Sequence, residues 1–296
     1  MENYPAPARR LVSELEAKAA LHPAQAIAFQ GAPGANSHLA VSAAFPDAIA
    51  LPCFSFEDAL DAVRDGKADR ALIPIENSLH GRVADMHFLL PESGLSIIGE
   101  YFLTIRHCLL GHGALGDVRE VMSHPQALGQ CRKWLREHKI RPMAYADTAA
   151  AAAFIADQPQ PGMAAIAPEL AAQLYGLDVL ARQISDEAHN ITRFVVLARA
   201  PIVLPVEEAV MTSLTFEVRN IPAALFKALG GFATEGVNMT KLESYQRGGS
   251  FAATEFYADI EGHPDSPHVA RALDDLRHYS KWVRLLGTYR RARERR

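Results

Sequence analysis

Asn190-Ile191-Thr192-Arg193-Phe194-Val195-Val196-Leu197 sets a hydroxyl, a guanidinium and an aromatic ring at the head of an apolar run. That is the pattern of a buried strand with a polar start. Side chains at such a start reach the crevice at a sheet edge while the residues that follow anchor them, so the position suits chemistry. It also suits an ordinary core strand with a surface Thr and Arg, and the choice depends on what the rest of the chain brings to it.

Upstream, strands and helices alternate. Ala26 to Gln30 reads as a buried strand, followed by the loop Gly31-Ala32-Pro33-Gly34-Ala35-Asn36-Ser37 and a helix from about His38 to Phe45. The loop fits either a tight turn or a small-anion cradle at a helix N-terminus; it lacks the Lys-Ser/Thr of a P-loop and the third Gly of a dinucleotide fingerprint. Ser55 and Asp58 predict a capping box for a helix to about Asp65. Arg70 to Ile75 is the next strand, delivering Glu76, Asn77 and Ser78 to its C-terminal end before a helix around Val83 to Leu90. Those three residues read as a helix-capping turn or as a site carrying an acid. The β-like run from Leu95 to Leu110 is long enough to cross between lobes. Strands at Val118 to Met122, Pro142 to Ala146, Met163 to Ala167 and Val179 to Ala181 follow, with helices from Pro125 to about His138 and Thr148 to about Ala156. Ser123-His124 and Asp147-Thr148 stand at strand-to-helix junctions, as caps or as site residues. No GxSxG elbow surrounds Ser123, which excludes a serine triad. The rhythm predicts α/β with helices on both faces of mostly parallel sheets.

Downstream, Pro201 to Glu208 reads as a linker. Beyond it the order is strand (Met211 to Val218), helix (Pro222 to about Glu235), strand (Val237 to Gln246), an Arg247-Gly248-Gly249 turn, strand (Phe251 to Ile260), helix (Pro267 to Tyr279) and strand (Trp282 to Tyr289). That is βαββαβ, a ferredoxin-like α+β domain with an antiparallel sheet.

The chain has 296 residues, 49% of them hydrophobic and 22% charged, with a formal net charge of -4. These values fit a globular protein and argue against nucleic acid as a partner. Cys53, Cys108 and Cys131 form no CxxC pair and point to a reducing compartment. The leading helix is too charged for a signal peptide, and no apolar run is long enough for a membrane span, so a cytoplasmic protein away from membranes is expected.

Four motifs in order, Ile73-Pro74-Ile75-Glu76-Asn77-Ser78, Ser123-His124-Pro125-Gln126-Ala127-Leu128 with Gln130-Cys131, Asp147-Thr148 with the alanines at 149–152, and Ile191-Thr192-Arg193-Phe194, resemble those of prephenate dehydratases. The resemblance runs from Ala26 to Tyr289. It extends to an ACT-type regulatory domain through the stretches at 222–229, 238–244 and 259–263. It implies an N-terminal helical extension (1–25) and a catalytic region (26–200) of two periplasmic-binding-protein-like lobes. Lobe one would hold about 26–103 with 191–199, and lobe two about 104–189. A linker (201–209), an ACT domain (210–290) and a basic tail (291–296) would follow. It also implies conversion of prephenate to phenylpyruvate without metal or organic cofactor, inhibition by L-phenylalanine, and a homodimer or homotetramer. The short stretch before residue 26 leaves no room for the fused helical chorismate mutase of some relatives, so a monofunctional enzyme is expected.

Transferred residue by residue, the resemblance makes Thr192 a hydrogen-bond donor to the departing hydroxyl and Glu76 its proton donor, provided burial keeps that carboxyl protonated. Arg193 and the backbone near Ser37 or Ser123 would bind carboxylates, and Phe194 would wall the ring. Asn77, Ser78, Gln130, Asp147 and Thr148 would orient the substrate. The regulatory ligand would meet Asn220, Ala223, Leu225, Asn238, Glu243 and Ser244. The sequence departs from the family in three places. Ala35-Asn36 replaces a Thr and an aromatic residue, Ala223 a glycine, and Tyr245-Gln246 an Arg-Pro. Arogenate dehydratase is the alternative enzyme, and a non-catalytic amino-acid sensor the alternative of another class.

Overall fold

The computed structural model describes residues 3–246 and 255–294. The turn expected at Arg247-Gly248-Gly249 and the strand start at Phe251 lie outside the described residues. Two compact units emerge, residues 1–82 with 102–194, and residues 83–101 with 195–296.

Helix α1 (Ala6–Leu21) buries Ala8, Val12 and Ala19. Strand β1 (Ala26–Gln30), helix α2 (Asn36–Ala44), strand β2 (Ile49–Cys53), helix α3 (Phe56–Arg64) and strand β3 (Arg70–Asn77) follow as βαβαβ. The capping box expected from Ser55 and Asp58 is present, each side chain meeting the other's backbone N–H. Strand β3 runs two residues past the expected end, because β4 (Gly81–Arg82) folds back on it with Glu76 opposite Arg82 and Asn77 opposite Gly81. Glu76 and Asn77 are therefore ladder residues, stiffer than the turn expected there.

Helix α4 (Ala84–Glu92) and strand β5 (Ser96–Thr104) lead to β6 (Cys108–Gly111), the first strand of a second sheet. Then come β7 (Glu120–Ser123), α5 (Pro125–Gln130), α6 (Arg132–Glu137), β8 (Arg141–Ala144), α7 (Thr148–Asp157), β9 (Met163–Ala167), α8 (Glu169–Tyr175), β10 (Asp178–Ala181) and β11 (Ile191–Ala198). The single helix expected from Pro125 to His138 is two. Asp186 accepts the Lys133 and Trp134 amides at 2.9 and 3.3 Å, fixing a new helix start after Cys131. Helix α8 is an addition to the expected elements.

The first sheet is ordered β2-β1-β3-β11-β5 with β4 on β3, and the second β10-β6-β9-β7-β8. In the first, β1 is parallel to β2 and β3. The second is mixed rather than mostly parallel, because β6 is antiparallel to both β9 and β10 while β7 is parallel to β8 and β9. Six successive small residues let α7 approach closely, and Ala149 to Ala153 are buried in one cluster with Ala8, Val12, Ala171 and Tyr175.

In the other unit, β12 (Val210–Val218), α9 (Ala224–Thr234), β13 (Met239–Tyr245), β14 (Glu255–Glu261), α10 (Pro267–Tyr279) and β15 (Ser280–Arg290) build the expected βαββαβ. Its sheet is antiparallel, ordered β13-β14-β12-β15. Phe216, Phe232, Phe256, Leu273 and Leu276 form the core under the two helices. Helix α4 and β5 join this unit. His87 and Phe88 meet Tyr245 edge-on, and Arg284 bonds the Pro91 carbonyl. Gly287 is required here, since a Cβ would fall 2.0 Å from the Ile97 carbonyl oxygen.

Candidate active site

The start of β11 and the end of β3 are stapled together. Ser78 Oγ donates to the His189 carbonyl at 2.8 Å and accepts the Ile191 amide at 2.9 Å, while the Ser78 amide donates to the Ile191 carbonyl. Its hydroxyl positions the strand start, and its one proton is spent on the His189 carbonyl. Asn77 Nδ2 donates to Asn190 Oδ1 at 2.7 Å and to Thr192 Oγ1 at 3.0 Å. Asn77 Oδ1 accepts the amides of Leu79 and His80, which fixes the orientation of the side-chain amide. A threonine hydroxyl that accepts still holds its own proton to donate, so Asn77 aims the Thr192 O–H without consuming it.

Arg193 Nη1 lies 2.9 Å from Glu76 Oε1, with the Arg193 side chain 2% exposed and that of Glu76 29% exposed. A guanidinium at this distance favours the carboxylate form of Glu76, which argues against the expected protonated acid. Arg193, expected to bind a substrate carboxylate, is buried with Glu76 as an ion-pair partner. Phe194 is 1% exposed and belongs to the core, so it does not wall a ligand.

The glycine loop is held by neutral groups. Gly34 N–H donates to His38 Nδ1 at 3.0 Å, and burial lowers the His38 pKa to about 4, leaving the ring able to accept. Gly34 has φ +93°, and a Cβ there would sit 3.0 Å from Ala171 Cα on α8, so both conformation and packing demand glycine. Tyr175 OH donates to the Pro33 carbonyl at 2.6 Å. Asp147 caps α7 by accepting the Ala150 amide at 2.8 Å. Burial raises its pKa against the pull of the Ala150, Ala149 and Ala32 amides. Because Ala32 belongs to the glycine loop, Asp147 joins the loop to α7. Thr148 follows in the first turn of α7, and Ser37 is buried in the first turn of α2. Ser123 is 0% exposed and its hydroxyl donates to the Ile166 carbonyl at 2.6 Å, so its side chain serves the sheet. The cap on α5 is His124, whose Nδ1 accepts the Gln126 amide.

A hollow of about 250 Å³ lies beside Asn190, lined also by Leu79, His80, Gln130, Lys133 and Asp186. Gln130 Oε1 is 2.6 Å from His107 Nε2, and Gln130 Nε2 is 3.2 Å from His80 Nδ1. Burial lowers the pKa of His107, so the ring is neutral and Nε2–H donates to Gln130. Sequence reasoning missed His80, His107 and Asn190 as partners of the site. His80 and Asn190 are polar residues beside a motif and His107 lies between two, signals too common to single them out.

In the C-terminal unit Asn220 and Ala223 are exposed before α9, and Leu225 packs on the core below. Asn238 Nδ2 donates to Glu261 at 3.2 Å, Glu243 pairs with Lys241 at 3.1 Å, and Ser244 follows on β13. Ala223 has φ +60°, the left-handed region where a Cβ is strained. Tyr245 points the other way, buried against α4.

The family model for prephenate dehydratase matches residues 27–202. The chain belongs to the prephenate dehydratase family. Dehydratases of this kind are carbon–oxygen lyases. A bifunctional N-acyl-homoserine lactone acylase/prephenate dehydratase of Komagataeibacter europaeus is 48% identical over 266 residues, 89% of this chain and 95% of the relative. Arogenate dehydratase/prephenate dehydratase 2 of Arabidopsis thaliana is 40% identical over 89% of this chain and 72% of the relative. The prephenate dehydratase of Arthrobacter aurescens in complex with L-Phe superposes with a TM-score of 0.82 at 32% identity, covering 90% of each chain. The two-lobed dehydratase fold with a C-terminal sheet domain is thus shared with a solved member of the family.

Proposed function

We propose that this chain converts prephenate to phenylpyruvate, carbon dioxide and water at Thr192. The observation that carries the reading is the Thr192 hydroxyl, oriented by Asn77 at a strand start, two residues from Asn190, which lines a hollow. The substrate dianion takes up one proton. The bond from the ring to its carboxylate breaks, its electron pair aromatises the ring, and the hydroxyl at the opposite carbon leaves as water. Thr192 donates a hydrogen bond to that oxygen and stabilises the charge that develops on it. Glu76 acts as the ion-pair partner that seats Arg193, with Ser78 and Asn190 holding the strand start. Gln130, Asp147 and the amides at the head of α2, near Ser37 and Thr148, supply the polar surface for the substrate.

The βαββαβ domain is read as an ACT-type regulatory domain that binds L-phenylalanine near Asn220, Ala223 and Glu243–Ser244, in a cytoplasmic homodimer or homotetramer. The phenylalanine named with the Arthrobacter relative supports the choice of ligand. The names of the plant relatives favour arogenate as a second substrate. The test is phenylpyruvate formation by the purified protein with and without L-phenylalanine, run beside arogenate and an N-acyl-homoserine lactone. Turnover of prephenate suppressed by phenylalanine is expected. No turnover of either prephenate or arogenate would overturn the catalytic assignment.

A further inference from the structure

His80 Nδ1 faces two partners that demand opposite proton states. It lies 3.2 Å from Asn77 Oδ1, an acceptor, and 3.2 Å from Gln130 Nε2, a donor. The Asn77 amide cannot flip to relieve the conflict, since its Nδ2 serves Asn190 and Thr192 while its Oδ1 serves two backbone amides. Gln130 is set by His107. The His107 ring is neutral, and its Nδ1 is buried with no hydrogen-bond partner. A proton there would be a buried donor without an acceptor, so it sits on Nε2 and donates to Gln130 Oε1. That leaves the Gln130 NH₂ pointing at His80, which must present a lone pair.

We propose that His80 is a positioning residue: in its neutral form Nδ1 holds the Gln130 amide across the hollow, and protonation turns that nitrogen to Asn77 and releases Gln130. His80 is exposed on the loop between β3 and β4, whereas Gln130 is on α5 over the second sheet, so the bond ties together segments carried by different sheets. The charged groups around it are Lys133, Asp186 and Glu187 lining the hollow, and Arg82 and Glu76 on its own hairpin, with Arg193 on Glu76. His189, whose carbonyl takes Ser78, and His107 behind Gln130 complete the titratable set. Lys133 is already paired with Glu187 at 3.7 Å, and Asp186 with the head of α6.

The inference rests on the reading that prephenate meets Gln130 and Thr192. The experiment measures kcat/KM for prephenate from about pH 5 to 9 in the full chain, in His80→Ala and in His80→Asn, whose Oδ1 occupies the place of Nδ1 but does not titrate. In parallel, NMR of ¹⁵N-histidine reads the His80 tautomer. Wild type should lose activity on the acid side. His80→Ala should fall about tenfold at pH 8, the worth of one hydrogen bond to an uncharged partner. His80→Asn should recover most of that loss and lack the acid limb. The same acid limb in wild type and His80→Asn would overturn the proposal, as would an Nδ1–H tautomer at pH 8. The NMR arm needs no turnover, so failure of the latch and failure of the catalytic reading are told apart.

Discussion

Two polar clusters built on strands have opposite fates. In the C-terminal sheet, Asp259 and Ser213 are each 0% exposed. Ser213 and Tyr257 donate to Asp259 Oδ1, and Tyr289 meets Ser213 at 2.7 Å. Donors and acceptor face one another mid-strand and close on themselves. At the start of β11, Asn77, Asn190 and Thr192 also bond one another, but Thr192 only accepts and its proton remains to be given. A mid-strand group is surrounded by its own sheet and must be satisfied within it. A group at a strand start faces the crevice and can keep a bond for a ligand. Position on the strand, more than residue type, separates a cluster that closes on itself from one with a proton to spare.

The largest effect expected from this contrast is at Thr192. Thr192→Ala should lower kcat by about 10³-fold, the scale for removing one donor aimed at a developing oxyanion, while Thr192→Ser should retain much of the activity. Equal collapse in both would mean that the hydroxyl is not the working group. Next is Glu76→Gln, which leaves the buried Arg193 without its carboxylate partner. Urea denaturation should show a loss of about 2 kcal/mol, below the full cost of breaking a buried pair because Glu76 is partly exposed. Lost turnover at unchanged stability would instead return Glu76 to the role of acid. Asp259→Asn should cost about 1–2 kcal/mol in the same measurement with kcat/KM unchanged, because a closed cluster contributes only to stability. The smallest is Ala223→Gly. Removing the left-handed strain outweighs the added chain entropy by about 0.5 kcal/mol, read as a rise in thermal midpoint. It should also tighten phenylalanine inhibition if the Ala223 methyl crowds the ligand.

The alternation of strands and helices was legible because the periods of burial are local properties. So were the capping box at Ser55 and Asp58, the Asp147 cap and the βαββαβ order. The motifs around Thr192 and Asn77 also lie on segments that the structure brings together. The roles within those segments were not legible. Ser123, Arg193 and Phe194 look like ligands in one dimension, yet two are fully enclosed and the third is bound to Glu76. Whether a polar side chain faces a crevice or a neighbouring strand depends on sheet order, which hydrophobic period does not encode. The mixed second sheet escaped notice for the same reason, since strand direction follows from the path of the connections.

By itself the sequence determined the family and the fold class, since each is written in patterns a few residues long. Only the tertiary structure decided that Glu76 pairs with Arg193, that Asn77 aims Thr192, and that His107 and His80 hold opposite ends of the Gln130 amide. Asn77 and Thr192 are 115 positions apart. A hydrogen bond is set by ångströms and angles, and those exist only once the chain has brought its distant strands side by side.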